Sequence, residues 1–425
     1  METTLTKETA ATFAQTWTET TLPFSNKILS EAKATLENTP FPTTRTEAWK
    51  YTRVTKISKS EFVNRASSIA NAADFKILDD ATTLVFVNGH FQKELSSSEV
   101  IDGLTISNLA SVPADKLANL GENVQLDAEV FNAMNTLYAN DGVFIHVHPE
   151  KIIEKSIQLL FIQDGENNQA QIRNKFIVDK GAQAHVIIGQ FSANANNCFT
   201  NMVTEINVGD NANFTVDKIQ IENETALQIA TEQVNQTRDS IFTINTITLD
   251  GLLVRNNLNI AVNGQNCNTH LNGMYLTKGR QHVDNHTIVD HLIPNCESFE
   301  LYKGVMDENS TAVFNGKVFV RKDAQKINAF QSNGNVLLGD NATINSKPEL
   351  EIYADDVKCS HGSTTGQLDE EAIFYLRARG ISEKAARHMM ISAFVADVLE
   401  KIENEEVLNF VQGILESKFG FATMD

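Results

Sequence analysis

The sequence predicts a mainly β protein with helical ends, whose strands stack as the coils of a β-helix. From about residue 155 to 360 apolar and polar residues alternate with period two, as in FIVDKGAQAHVIIGQF, and only two prolines interrupt this stretch. A turn motif recurs within it at intervals of 28 and 29 residues, which is typical of a solenoid. From Asp369 the apolar residues take helical spacing instead. A β-sandwich is the alternative that strand alternation alone leaves open.

The first predicted unit, residues 1–80, is a helical region. Phe13, Trp17 and Leu22 recur at near-helical spacing, and residues 26–36 are a further helix candidate. Three prolines break the segment into short pieces, because proline cannot donate the backbone hydrogen bond of a helix interior.

The second predicted unit, residues 81–365, is the β-helix core. Its turn motif occurs at residues 181–184, 209–212 and 238–241, with a fourth instance at 339–342. No helical pattern separates the strands, which favours stacked coils over a Rossmann-type sheet.

The third predicted unit, residues 366–425, is a helical domain. Asp369 can cap a helix that ends before Gly380, and Ser382 can cap a second helix. A last helix is predicted over residues 405–418. The last two helices cannot bury both their faces alone, so they either dock on the end of the solenoid and cap it or bind a partner.

Composition excludes several classes of function. The 425 residues carry a net charge of −19, which argues against nucleic acid and against anionic membranes as partners. The four cysteines are scattered and the start METTLTKETAATF has no basic and apolar signal pattern, so we expect a cytoplasmic protein with free thiols. No P-loop motif occurs, so we do not expect the chain itself to hydrolyse ATP.

The candidate site is the pair Cys359 and His361, which we place at the end of a strand, directly before a helix. Residues two apart on a strand project from one face, so a thiol and an imidazole share one surface there, and Asp355 joins them if the strand is unbroken. These ligands suit iron or zinc, but two of them cannot complete a tetrahedral site. The alternative without metal binding is a cysteine packed as a small apolar residue and a histidine hydrogen-bonded to the backbone.

This stretch, KPELEIYADDVKCSHGSTTGQLDEEAIFYLRARG, resembles the C-terminal signature of the SufB/SufD family of iron–sulfur cluster assembly proteins. FNGKV (314–318) and AQKINAFQSNGNVLL (324–338) are similar to the family's preceding strands, and PTTRTEAWKYT (42–52) to its N-terminal motif. Ser363 stands where alanine is usual. The N-terminal cysteine motif typical of SufB is absent, so the resemblance is closer to SufD.

The resemblance implies a right-handed parallel β-helix and a scaffold that is not an enzyme by itself. It implies pairing with a SufB-like paralogue through the solenoid and docking of a SufC-like ATPase on the C-terminal helices. His361 would then lie at the subunit interface and help bind iron or a nascent iron–sulfur cluster, with Cys359 as a neighbour. No cofactor is expected to stay on this chain alone, and flavin is associated only with the whole complex. Removal of residues from about 366 onward should abolish ATPase binding and leave the solenoid folded.

Two other functions stay open on the residues alone, a β-helix enzyme acting on carbohydrate and a structural solenoid homodimer. A second metal site is conceivable among the histidines, although internally bonded or exposed side chains are the simpler interpretation. These histidines are His146, His148, His282, His286 and His291.

Overall fold

The structure, a computed structural model, describes residues 10–69 and 72–419. The expectation of no signal peptide rests in part on the first nine residues, which lie outside the described residues. The strands are β1 (Thr82–Val87), β2 (His90–Phe91), β3 (Leu104–Asn108), β4 (Val143–Val147), β5 (Ile157–Gln163), β6 (Gln169–Val178), β7 (Gln183–Ser192), β8 (Phe199–Val208), β9 (Asn213–Ile221), β10 (Leu227–Gln236), β11 (Ile241–Thr248), β12 (Leu253–Val262), β13 (Asn268–Thr277), β14 (His282–His291), β15 (Glu297–Met306), β16 (Thr311–Val320), β17 (Ile327–Leu337), β18 (Thr343–Ile352) and β19 (Val357–Gly366). The α-helices are α1 (Ala10–Phe13), α2 (Asn26–Asn38), α3 (Thr55–Ser58), α4 (Val130–Tyr138), α5 (Glu370–Arg377), α6 (Glu383–Leu399) and α7 (Glu405–Phe419).

The strands form two sheets that the chain visits in turn. One sheet has ten strands in the order β19-β17-β15-β13-β11-β9-β7-β5-β1-β2, and the other has nine in the order β18-β16-β14-β12-β10-β8-β6-β4-β3. From β4 onward every strand pairs in parallel with the strand two places along the chain, and within residues 10–69 and 72–419 only the pairs β1–β2 and β3–β4 are antiparallel. A sandwich would join antiparallel neighbours, so the predicted parallel β-helix is confirmed and the β-sandwich alternative is wrong.

Successive coils are held in register by a row of tight turns. The turns before β7, β9 and β11 place Gly181, Asn211 and Asp239 at positive φ, each followed by a small buried residue. These are the first three instances of the turn motif, and Gly and Asn are residues that tolerate this conformation. The fourth instance, 339–342, precedes β18 and therefore belongs to the row of turns on the other sheet.

Three clusters of buried apolar residues account for the packing. The largest fills the space between the two sheets, with Phe176, Phe214 and Phe242 among its members. A second lies between the outer face of the nine-stranded sheet and the N-terminal helices, where α4 joins α2. The third lies between the outer face of the ten-stranded sheet and helices α6 and α7.

The C-terminal helices begin where their caps were predicted. Asp369 accepts hydrogen bonds from the backbone of α5, and Ser382 does so for α6. The pair α6–α7 does not cap the end of the solenoid but packs on its side, because its apolar residues, such as Val395, meet outward-facing residues such as Met274 and Val305. Loss of these helices would therefore bare an apolar sheet face of the solenoid. That the solenoid stays folded without them stays a prediction.

Within the described residues no helix is both long enough and apolar enough to cross a membrane.

Candidate functional site

The candidate site lies on β19, the last strand of the ten-stranded sheet. This strand pairs with β17, in a register that sets Cys359 beside Ala329 and His361 beside Gln331. The strand continues to Gly366, so the prediction that Cys359 and His361 end a strand just before a helix is wrong. The polar sequence after His361 still pairs with β17 because one strand edge suffices for the ladder while the other edge faces water.

Cys359 and His361 do share one face, but their exposure differs. The Cys359 side chain is half-buried and packs against the central apolar cluster. Burial raises the pKa of this thiol, and a backbone hydrogen bond from Ala329 opposes that effect. His361 is exposed, and its imidazole makes no hydrogen bond or ion pair with any of the residues described. The imidazole is therefore available as a ligand, whereas the thiol is protonated and partly covered.

Asp355 does not join this face. The chain bends at residues 355–356, between the end of β18 at Ile352 and the start of β19 at Val357. The predicted row of acid, thiol and imidazole required an unbroken strand, and the bend removes the regular spacing on which it rested.

A buried polar column leads towards His361 from the preceding coils, and the sequence reasoning missed it. In register, Glu300 on β15 is followed by Gln331 on β17 and then by His361. The Gln331 amide donates to Glu300 Oε2 at 2.8 Å, and Thr287 donates to Glu300 Oε1 at 2.5 Å. Burial raises the pKa of Glu300 to about 7, although both hydrogen bonds lower it. Indexing the chain by the turn period would have aligned these positions, which are 31 and 30 residues apart.

The chain by itself does not assemble a closed metal site here. Among the described residues no group of three or more His, Cys, Asp or Glu side chains is placed to hold one ion. An imidazole and a nearby thiol suit an iron ion or an iron–sulfur cluster as cargo, but they supply at most two of its ligands. Any further ligands must come from another molecule.

Both sheets end in open edges at this end of the solenoid. In the described residues no strand pairs beyond β18 in one sheet or beyond β19 in the other. Each edge strand is 10 residues long and presents unpaired backbone groups. Long unpaired edges are the usual template for strand pairing with a second chain. A second chain that paired with β19 would also lie close to His361.

The other candidate histidines are bonded within the fold. His146 contacts Asp179 at 2.7 Å, and His148 contacts Thr105 at 2.9 Å. His291 is buried inside the solenoid, 3.0 Å from Ser298.

His282 and His286 lie on the outer face of β14, where they contact Thr52 and Asp284. None of these histidines lies beside His361 on β19.

Comparison with known proteins covers nearly the whole chain. Residues 161–394 match the SufBD core domain of the SUF system for iron–sulfur cluster assembly, and residues 10–159 match the SufBD protein N-terminal region. The chain is 34% identical to the iron–sulfur cluster assembly protein SufD of Escherichia coli, over 87% of each chain. It is 33% identical to an iron–sulfur cluster assembly SufBD family protein of Synechocystis, over 85% of this chain and 84% of the relative. It is 30% identical to the chloroplastic protein ABCI7 of Arabidopsis thaliana, over 92% and 86%.

Proposed function

Because this chain belongs to the SufBD family of iron–sulfur cluster assembly proteins, we propose that it is a SufD-like scaffold subunit in the cytoplasm. It pairs with a SufB-like paralogue, docks a SufC-like ATPase, and presents His361 to iron or a nascent cluster at the subunit interface. The observation that carries this proposal is the coincidence of an unbonded imidazole, a neighbouring thiol and two open strand edges at one end of the solenoid.

The partner pairs along the open edges. A second solenoid that continues the hydrogen bonding of β18 and β19 would bury their free backbone groups and extend both sheets. The same contact would set its own side chains opposite His361 and supply the ligands that this chain lacks. The cluster is cargo shared between two chains and is not a resident cofactor of either one.

The two candidate ligands have different roles. His361 is the ligand, because an exposed imidazole binds a metal without first breaking a contact within the protein. Cys359 supports the strand by packing, because a thiol must lose its proton to bind metal and burial raises its pKa.

The ATPase docks on helix α5 and not on the buried faces of α6 and α7. Phe374 and Tyr375 on α5 are 72% and 57% exposed, although aromatic side chains are normally covered. Arg379 lies over the Tyr375 ring at 3.3 Å from its centroid. Exposed aromatic residues beside an arginine are typical of the residues that dominate binding at protein interfaces.

The site is tested with His361→Ala in cells that lack other systems for cluster assembly. We expect cluster-dependent enzyme activity to fall while the variant stays soluble, keeps its melting temperature and co-purifies with its partners. Lys358→Ala is the matched control, since this exposed residue lies on the opposite face of β19. Cys359→Ala should have an equal or smaller effect on assembly. Full assembly activity of His361→Ala would refute the site and leave the scaffold role standing.

The docking surface is tested separately by co-purification with the ATPase. Phe374→Ala combined with Tyr375→Ala should weaken binding by at least tenfold without lowering the melting temperature, because both rings are exposed. Unchanged ATPase binding would refute this surface. Light scattering of the isolated chain, and of the chain co-expressed with the paralogue, shows which partner pairs with the open edges. A homodimer that persists in the presence of the paralogue would favour the structural homodimer.

A further inference from the structure

The N-terminal motif at residues 42–52 is fixed to the outer face of the nine-stranded sheet by buried contacts. The Arg255 guanidinium lies 3.8 Å from the centroid of the Trp49 ring and donates to Asp284 Oδ2 at 2.5 Å. Thr52 donates a hydrogen bond to the same carboxylate oxygen. Trp49, Thr52, Arg255 and Asp284 are all buried, so the segment forms a rigid wall on the sheet.

The negative charge in this network is already matched. Burial alone would raise the pKa of Asp284, but Arg255 and His286 hold it well below its usual range. His286 Nε2 lies 3.0 Å from Asp284 Oδ1, and burial lowers the pKa of this imidazole despite the raising effect of the carboxylate. The charges of Asp284 and Arg255 therefore balance each other beneath the surface. The Asp284 carboxylate leaves no net negative charge to neutralise cationic side chains exposed nearby.

Two cavities open beside the exposed Tyr51 ring, which lines both of them. One has a volume of about 360 Å³ and the other of about 510 Å³. Cationic side chains line each cavity: Arg45, Lys50 and Lys347 the smaller one, and Arg53, Lys56 and Arg280 the larger one.

The two cavities together form a groove that is lined by cations, on a protein whose net charge is −19. Among the residues that the structure describes, Glu47 is the only exposed carboxylate in the lining of the smaller cavity, and it lies 3.4 Å from Lys347. None of the described residues that line the larger cavity is acidic. Apart from Lys347, none of the six cations forms an ion pair with any of the residues described. Cations that repel one another around a fixed concave surface favour the binding of an anion.

We propose that this groove binds a nucleotide polyphosphate, with the phosphates among Arg53, Lys56 and Arg280 and the planar base against Tyr51. The two cavities are together too large for one phosphate ion and fall in the size range of small-molecule sites. An exposed aromatic ring offers a stacking surface for a base, and guanidinium groups bind phosphate through paired hydrogen bonds. The groove lies on the outer face of the nine-stranded sheet and is independent of the role proposed for His361.

The test is titration calorimetry of the purified full-length chain with ADP, with pyrophosphate and adenosine as partial ligands. We expect one saturable ADP site that weakens at high salt, because salt screens exposed charges. Arg280→Ala should weaken ADP binding by tenfold or more, since it removes a charged phosphate contact. Tyr51→Leu should weaken ADP binding several-fold and leave pyrophosphate binding unchanged, whereas Tyr51→Phe should keep both.

Lys322→Ala is the control, because this exposed lysine lies in a turn away from the groove. Arg280 and Tyr51 are also exposed, so their variants should keep the melting temperature of the parent. No saturable ADP binding up to millimolar concentration would overturn the proposal, as would binding that Arg280→Ala leaves unchanged. Binding of a poly-glutamate peptide without binding of ADP would also overturn it and would identify a docking site for an acidic protein.

Discussion

Glu300 is a carboxylic acid held inside the solenoid, and its protonation should make stability depend on pH. Its side chain is 5% exposed and lies between the Thr287 hydroxyl and the Gln331 amide. Burial disfavours the charged form and raises the pKa from 4.5 to about 7, against the lowering effect of the two hydrogen bonds.

The perturbation is Glu300→Gln, which keeps the shape of the side chain and removes its proton equilibrium. Gln331 can still donate to the amide oxygen, and the Thr287 hydroxyl can accept from the new amide nitrogen. A raised pKa means that the folded state binds the proton more tightly than the unfolded state does. The stabilisation that Glu300 provides is therefore complete below pH 4.5 and is lost as the pH rises to about 7. The loss amounts to about 3 kcal/mol, from roughly 1.4 kcal/mol for each pH unit.

Urea unfolding of the parent and of Glu300→Gln between pH 5 and pH 9 measures this difference. The free energies of unfolding of the two proteins should differ by less than about 1 kcal/mol close to pH 5, and the variant should be more stable by about 3 kcal/mol above pH 7. Glu222→Gln is the matched second variant. Burial raises the pKa of Glu222 to about 8 despite a hydrogen bond from Thr200, so its gain should keep growing between pH 7 and pH 8 while that of Glu300→Gln levels off.

A gain that is the same at every pH would refute the reasoning, because it would reflect packing and not a proton. A variant less stable than the parent at pH 8 would refute it as well, since that result requires a carboxylate stabilised by its surroundings.

Two further predictions concern packing. Gly304→Ala should lower the free energy of unfolding by about 1–3 kcal/mol, because the new methyl group would lie 2.1 Å from the buried Tyr275 ring. Gly362→Ala is the control and should change this free energy by less than about 1 kcal/mol, because its new methyl group would have no atom within 4 Å. Urea unfolding of the two variants measures the difference. Removal of residues 366–425 should expose the outer face of the ten-stranded sheet, because α6 and α7 cover it. The shortened chain should therefore bind a hydrophobic dye and show aggregates in light scattering. A monomeric product that binds no dye would contradict this prediction.

The architecture could be predicted from local sequence signals. Period-two alternation without helical interruptions and a turn motif spaced by 28 and 29 residues indicated stacked coils, since each coil must bury its inner face on its neighbours. The caps at Asp369 and Ser382 were also predicted, because a capping side chain bonds to backbone only two or three residues away. The density of the signature around Cys359 and His361 was enough for the resemblance to the family.

The surroundings of the site could not be predicted in the same way. Glu300 and Gln331 lie in the column of His361 only because parallel pairing sets one coil upon the next, and the coils differ by several residues in length. Nothing local at Asp355 distinguishes a bend from a continued strand. That α6 and α7 cover the side of the solenoid, and that residues 42–52 lie over Asp284, depends on contacts between residues far apart in the chain.

The sequence by itself therefore determined that the middle of the chain is strand and that its end is helical, and it picked out the pair of side chains proposed as the site, because these signals depend on neighbours within a few residues. Only the tertiary structure decided what surrounds them: the exposed imidazole of His361, the half-buried thiol of Cys359, the open edges of β18 and β19, and the cationic groove at Tyr51. Exposure, burial and charge balance are properties of whole layers packed together, and no single stretch of the chain carries them.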